Sequence, residues 1–229
     1  MKLLAIDTTE DACSAALLLD AGVRERFELA PRRHSELILP MMDGLLNEAG
    51  LALGDLDALA FARGPGAFTG LRIAASVIQG AAFAAGLPVV PVSSLQALAQ
   101  GLLREHGHGA VLAAFDARMG EVYWGCYRVD GDIMRAVADD RVGPPGAVAV
   151  APGGAWVGAG SGWLAQGPVL AKMLEAGAAV HGDAMVHARD VATLAASAFA
   201  TGAAVAAEQA VPVYLRNEVA WNKTPPARP

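Results

Sequence analysis

Apolar residues in the first thirty positions fall into three short runs. Lys2 to Asp7 ends in Asp-Thr-Thr, Cys13 to Leu19 ends in Asp-Ala-Gly, and Val23 to Leu29 alternates apolar with charged side chains. Such runs read as strands, the second and third joined through Asp20-Ala21-Gly22 as a hairpin. From His34 the period changes. Leu37, Ile38, Met41, Leu45 and Ala49 recur at helical spacing and Gly50 supplies a stop, while Pro40 kinks the helix or starts its regular part. Ala58 to Ala62 is a further strand, and from Thr69 the stretch TGLRIAASVIQGAAFAAG reads as a long helix of small residues. After Pro88 come a strand, Val89 to Val92, and a helix, Ser94 to Glu105.

From Ala110 the pattern restarts, with a strand to Phe115, the turn Asp116-Ala117-Arg118-Met119-Gly120 and a strand from Glu121 to Val129. Two strand-turn-strand openings, each followed by helices, predict an α/β chain of two related lobes, residues 1–108 and 109–229. Val142 to Gly162 is rich in Gly and Pro and reads as loops around a short strand, Trp156 to Gly158. Helices are expected at Leu164 to Ala176 and Asp190 to Ala207. A strand-like VPVYLR and a Pro-rich tail, expected to be mobile, complete the chain. No tandem repeat argues for a solenoid.

Of the 229 residues 54% are apolar and 17% charged, against about 25% charged in an ordinary soluble domain. That excludes intrinsic disorder. Much of the excess is Ala and Gly, which let backbones approach closely. Ile73 to Leu103 carries no charge and exceeds the roughly 20 residues that span a bilayer. Gly86, Pro88, Pro91, Ser93, Ser94 and Gln96 break it into a helix stop and a strand, so no membrane is expected. Asp7, Glu10 and Asp11 interrupt any signal-peptide core, and the chain is expected in the cytoplasm. Cys13 and Cys126 lie in apolar runs and are expected to be buried thiols. A net charge of −6 excludes a broad basic face for nucleic acid. Arg24/Arg26 and Arg32/Arg33 lie beside Glu25, Glu28 and Glu36 and read as a solvated edge.

Candidate chemistry is sparse. Asp7-Thr8-Thr9 at the end of the first strand can present N–H groups and hydroxyls to phosphates, or simply close its own turn. Gly64-Pro-Gly-Ala-Phe-Thr-Gly-Leu-Arg72 leads into a helix N-terminus, where free N–H groups and the dipole favour anions. There Thr69 would cap the helix and Gly64 and Gly66 would permit positive φ, so capping and anion binding both remain open. His106 and His108 have metal-ligand chemistry or are merely exposed; Asp116, Arg118 and Glu121 can pair with one another. Gly160-Ser161-Gly162 is too short for a nucleophile elbow. The helix from Thr69 is apolar nearly all round, so it faces a sheet on one side and on the other the Leu37/Met41/Leu45 helix or a partner chain.

MKLLAIDTTEDACSAALL, GPGAFTGLRIAASVIQGAAFAAGLPVVPVSSLQALA, DARMGEVYWGCY and the terminal PVYLRNEVAW together resemble the TsaB (formerly YeaZ) family. The resemblance runs end to end, and GPGxFTGLR with DAR-x-x-EVY is its specific part; Gly-Ala-Phe stands where Gly-Ser-Phe is commoner. It implies an actin-like, Hsp70-like or sugar-kinase (ASKHA) ATPase fold with two related lobes. It also implies a non-catalytic subunit needed for threonylcarbamoylation of the adenosine at position 37, beside the anticodon, in tRNAs reading codons that begin with A. By the same resemblance the paralogue TsaD carries the catalytic site, TsaE is an ATPase partner and TsaC supplies threonylcarbamoyl adenylate. TsaD-like proteins carry a His-x-x-x-His metal pair; here Ser94 and Leu98 stand at those positions, and neither replaces an imidazole on a metal. The chain is thus expected to have no catalytic residue, metal or required cofactor, with ATP or ADP only at the complex interface. Family members pair with TsaD, or with themselves when alone, through the first two helices, which points to Leu37, Met41, Leu45, Ile73 and Val77. tRNA is expected only through the complex. Alternatives of the same fold are a stand-alone phosphotransferase, a glycoprotease-like metallopeptidase, or a chain binding nucleotide at a shared interface through Asp7 to Thr9.

Overall fold

The computed structural model describes residues 1–216. The Pro-rich part of the tail expected to be mobile lies outside the described residues. In chain order the first half contains β1 (Leu3–Asp7), β2 (Ala12–Leu19), β3 (Gly22–Leu29), α1 (His34–Ala49), β4 (Ala58–Gly64), α2 (Phe68–Ala85), β5 (Val89–Ser93) and α3 (Ser94–His106). The second half contains β6 (Ala110–Asp116), β7 (Val122–Asp130), β8 (Ile133–Ala136), β9 (Arg141–Gly143), β10 (Val157–Ala159), α4 (Ser161–Leu170), β11 (Val180–His181) and α5 (Ala188–Ala200).

The two sheets share one topology. The first runs β3-β2-β1-β4-β5 and the second β8-β7-β6-β10-β11, with β9 added beside β7. In each, the three strands of the opening meander are antiparallel and the last two run parallel to the first. This duplication gives the two related α/β lobes that the repeated opening predicts. Leu19 pairs with Gly22, so the β2–β3 hairpin turns on Asp20 and Ala21 alone.

Five layers follow from alternation along strands buried on both faces. Leu4, Ile6, Leu17, Leu59 and Phe61 point to one side of the first sheet and meet Ile38, Met41 and Leu45 of α1 and Ala74 and Ile78 of α2. Leu3, Ala5, Ala16, Ala58 and Ala60 point to the other side, toward α3 and α5, which also receive Val111, Ala113 and Phe115 from the second sheet. Leu112, Ala114, Trp124 and Cys126 face α4 and Trp163. Nearly half of the central cluster is Ala, including Ala97, Ala99, Ala188, Ala192 and Ala195. The small-residue excess therefore sits where two helices are squeezed between two sheets. It is also a property of α2, which carries six Ala and two Gly among its 18 residues, and not of α1.

Residues beyond the second sheet return to the first. Ala188 N–H donates to Ser14 Oγ at 2.9 Å, Val205 exchanges backbone bonds with Val89, and Gln79 reaches the Ala210 carbonyl at 3.1 Å. VPVYLR forms no ladder. Pro212 has no N–H to give, and Val213 N–H alone meets the Arg63 carbonyl, at 2.8 Å. The helix expected at 164–176 begins earlier and breaks at Gln166 (φ −133°), beside Gly167 and Pro168. α5 stops at Ala200, short of Ala207, before the left-handed Gly202. Among the described residues one helix, α2, is long and apolar enough to cross a membrane, yet its Leu71, Ala74, Ala75, Ile78 and Ala82 are buried in the protein. Cys13 and Cys126 are free, buried thiols in different sheets. Arg26 pairs with Glu48 and Arg33 with Glu28 and Glu36, which makes that basic cluster a charge-paired edge.

Candidate functional site

The β1–β2 turn is closed upon itself. Thr9 donates to Asp7 Oδ1 through its hydroxyl at 2.6 Å and its N–H at 3.2 Å. Thr8 Oγ1 donates to the Gly70 carbonyl at 2.8 Å. All three side chains are buried, and Asp7 Oδ2 has no hydrogen-bond partner. Burial lifts the Asp7 carboxyl to about 7, although the Thr9 bonds pull it down.

The glycine-rich loop is pressed onto this turn. Ala67 N–H donates to the Thr9 carbonyl at 2.7 Å. A Cβ on Gly66 would stand 2.5 Å from the Thr9 carbonyl oxygen, and one on Gly70 would stand 1.9 Å from that of Thr8. Two expectations are corrected here. Gly64 does take positive φ (113°), but Gly66 does not: it is required by the close approach of Thr9. Thr69 does not cap α2. The cap is Ala67, and Thr69 is an exposed residue within the first turn. The start of α2 is thus partly occupied by the chain itself, and both Thr hydroxyls that would greet a phosphate are spent internally.

A second turn meets the first across the lobes. Ser161, at the start of α4, donates to Glu10 Oε1 at 2.5 Å and accepts the Asp116 N–H at 3.2 Å. It therefore joins the β1–β2 turn to the equivalent β6–β7 turn. Burial raises the Glu10 carboxyl to about 7. In the sequence Ser161 stands out only as the centre of a Gly-Ser-Gly too short for a nucleophile elbow. Gly160 (φ 96°) and Gly162 flank it because a Cβ on either would strike the Ala114 backbone, so they serve close packing on β6. Asp116 pairs with Arg118 at 3.0 Å, whereas Glu121 pairs with Arg216. The expected mutual cluster is thereby split.

Ser94 Oγ accepts the Gly64 N–H at 3.1 Å and Leu98 is wholly buried in the central layer. Beside them, Ser93 Oγ donates to Asp140 at 2.6 Å and the Tyr127 hydroxyl donates to the same carboxylate. Burial raises the Asp140 carboxyl despite those bonds. Among the described residues no three His, Cys, Asp or Glu side chains converge on a metal-sized point.

The five residues expected at a partner interface divide. Met41 and Leu45 are 8% and 1% exposed and pack on the first sheet, so Leu45 belongs to the core, while Met41 also lines a surface cleft beside Leu37 and Pro40. Leu37, Ile73 and Val77 are half-buried at the edge of that cluster. The exposed apolar residues of the two helices are instead Leu39, Phe68 and Phe83, the last 84% exposed. Between α1 and α2 lies a cleft of about 470 Å³ lined by Ser35, Phe68, Thr69, Arg72, Ile73, Ser76 and Val77. Arg72 lies over the Phe68 ring at 3.9 Å and reaches the Tyr214 hydroxyl at 3.4 Å. Phe68 was visible in the sequence as an aromatic inside the glycine-rich turn, but its exposure was not.

A family model described as TsaD, tRNA N6-adenosine threonylcarbamoyltransferase, matches residues 27–221. The tRNA threonylcarbamoyladenosine biosynthesis protein TsaB of Escherichia coli is 46% identical over 98% of this chain and 99% of its own length. The Haemophilus influenzae TsaB is 39% identical over 98% of each. Among solved structures, YeaZ from Pseudomonas aeruginosa superposes with a TM-score of 0.87 at 49% identity, covering 93% of this chain and 99% of that one. With near-complete coverage at this identity, and the same fold in YeaZ, the chain belongs to the TsaB (YeaZ) family of tRNA threonylcarbamoyladenosine biosynthesis proteins.

Proposed function

We propose that this chain is a non-catalytic subunit that binds and supports the catalytic paralogue TsaD, together with TsaE, in threonylcarbamoylation of the adenosine at position 37 of tRNAs reading codons that begin with A. The observation that carries this reading is the sealed Asp7-Thr8-Thr9 turn. Its hydroxyls are bonded internally and its approach is filled by Gly66 and Gly70, which argues against a phosphate seated there. Leu98, an apolar core residue at a position where TsaD-like proteins carry a metal-binding His, supports it.

The partner surface in this reading is the exposed side of α1 and α2 around Ile73 and Val77, shared by TsaD and by a second copy of the chain when alone. Leu39, Phe68 and Phe83 enlarge that surface. The reading gives this chain no cofactor, puts ATP or ADP at the complex interface, lets tRNA be met only through the complex, and locates the work in the cytoplasm. Its test is a reconstituted reaction of TsaC, TsaD, TsaE and tRNA with and without this chain. Modification should be lost on omission; an unchanged rate without the chain overturns the reading. ATP turnover by the purified chain alone at about 1 per second would favour a stand-alone phosphotransferase.

A further inference from the structure

Three histidines distant in sequence meet at one edge of the second sheet. His106 ends α3, His108 follows two residues later, and His181 ends β11. The His106 and His181 rings are stacked with centroids 4.4 Å apart, and His108 lies tilted against His181 at 5.1 Å. His108 Nε2 stands 3.1 Å from His181 Nε2.

Backbone structure fixes both of these residues. Gly107 closes α3 in the left-handed conformation (φ 71°), its N–H on the Leu103 carbonyl at 2.9 Å, and His108 N–H reaches the Leu102 carbonyl at 3.4 Å. That double closure sets where His108 leaves the helix. His181 pairs with Ala159 of β10, and its carbonyl accepts N–H groups from Gly160 at 3.0 Å and Ala184 at 3.2 Å.

Two imidazole nitrogens this close share either a proton or a cation. With metal–nitrogen bonds of about 2.0–2.1 Å, cis ligands stand about 2.9 Å apart on an octahedral or square ion and about 3.3 Å apart on a tetrahedral one. The observed separation lies between these values. We propose that His108 and His181 form a two-imidazole site for a borderline divalent transition ion of the Zn²⁺, Ni²⁺ or Cu²⁺ class, with its other positions open to water. His106 lies stacked over His181, so the site has two protein ligands, in keeping with the lack of any three-ligand group among the described residues. A bound ion ties the α3–β6 junction to the edge strand β11. The inference is independent of the proposed function.

The test titrates the full-length, metal-free chain with zinc chloride at neutral pH, followed by calorimetry and by NMR of the imidazole nitrogens. Zinc should bind one to one and shift the Nε2 signals of His108 and His181 while leaving those of His34 and His187 in place. His108→Gln and His181→Gln should each weaken binding at least about tenfold without lowering the metal-free thermal midpoint. The wild-type midpoint should rise with zinc, because an ion bound only to the folded state stabilises it. No binding by the wild-type chain, or binding undiminished in the His108→Gln/His181→Gln double variant, overturns the site.

Discussion

Thr8 and Gly70, 62 positions apart, meet so closely that the Thr8 hydroxyl donates to the Gly70 carbonyl at 2.8 Å while the Thr8 carbonyl oxygen stands where a Cβ on residue 70 would be. That obstacle is backbone, so it cannot rotate away. Gly70→Ala should push α2 off the β1–β2 turn and destabilise the chain by about 3 kcal/mol, at the upper end for overpacking. Gly80→Ala, on the same helix with nothing within 4 Å of the added carbon, should instead stabilise by roughly 1 kcal/mol. Urea unfolding of the two variants checks the contrast; equal effects would remove the close approach.

The Asp7 carboxyl titrates at about 7 in the folded chain, against roughly 3.9 when unfolded. Below the lower value both states hold the proton. Between the two values the folded state keeps a proton that the unfolded state has lost, and above about 7 a charge must be carried in the interior. Stability from this group is therefore full at the acid end and is lost as pH rises through about 7, by up to roughly 4 kcal/mol. Glu10 acts in the same direction. Asp7→Asn stays neutral, so its stability relative to wild type should improve steadily between about pH 4 and about pH 7 and level off above that. A difference independent of pH across that range would show that Asp7 is not a buried acid.

Period and punctuation make the elements of the first half legible, but not the short strands β8, β9 and β11, and they read VPVYLR as a strand that does not form. The repeated strand-turn-strand opening foretold the two lobes because each lobe restarts the same alternation, at Leu3 and at Ala110. What periodicity could not supply was which face is covered by what. Leu37, Ile38, Met41 and Leu45 mark an apolar stripe on α1, yet only the packed structure shows Met41 and Leu45 turned to the sheet and Leu39 outward. Gly66 looked like a residue chosen for positive φ, whereas its reason is a carbonyl oxygen from Thr9, invisible until the chain is folded. Ser161 bridging Glu10 and Asp116, and His108 meeting His181, are likewise long-range facts that local spacing does not encode.

Interface and core residues on α1 and α2 should separate by mutation. Val77 is half-buried at the rim, so Val77→Asp should lower stability by about 1 kcal/mol and, under the proposed function, abolish both self-association and binding to TsaD. Leu45 is fully enclosed between α1 and the first sheet. Leu45→Asp buries an unpaired carboxylate and should unfold the chain outright. Sedimentation together with thermal scans distinguishes the outcomes. A complex with TsaD that survives Ile73→Asp/Val77→Asp unweakened would place the partner surface elsewhere.

Arg104 of α3 holds Asp190 of α5 by two parallel bonds, Nε to Oδ1 at 2.9 Å and a terminal nitrogen to Oδ2 at 2.8 Å. The partners are unequally exposed: the Asp190 side chain is 2% exposed and that of Arg104 29%. Burial raises the Asp190 carboxyl, and the guanidinium draws it back. Removing Asp190 leaves a cation that can turn to water and to Glu105, which it already touches at 3.0 Å. Removing Arg104 leaves a carboxylate with no route to solvent, and stranding one partner of a buried pair costs about 3–5 kcal/mol. Arg104→Ala should therefore cost more than Asp190→Ala, and its deficit should shrink as pH falls and Asp190 takes up a proton. Because the pair links the two helices held between the sheets, the loss should appear as a fall in the midpoint of global unfolding by both fluorescence and circular dichroism. An Asp190→Ala variant as unstable as Arg104→Ala at every pH would mean that the two ends are desolvated alike.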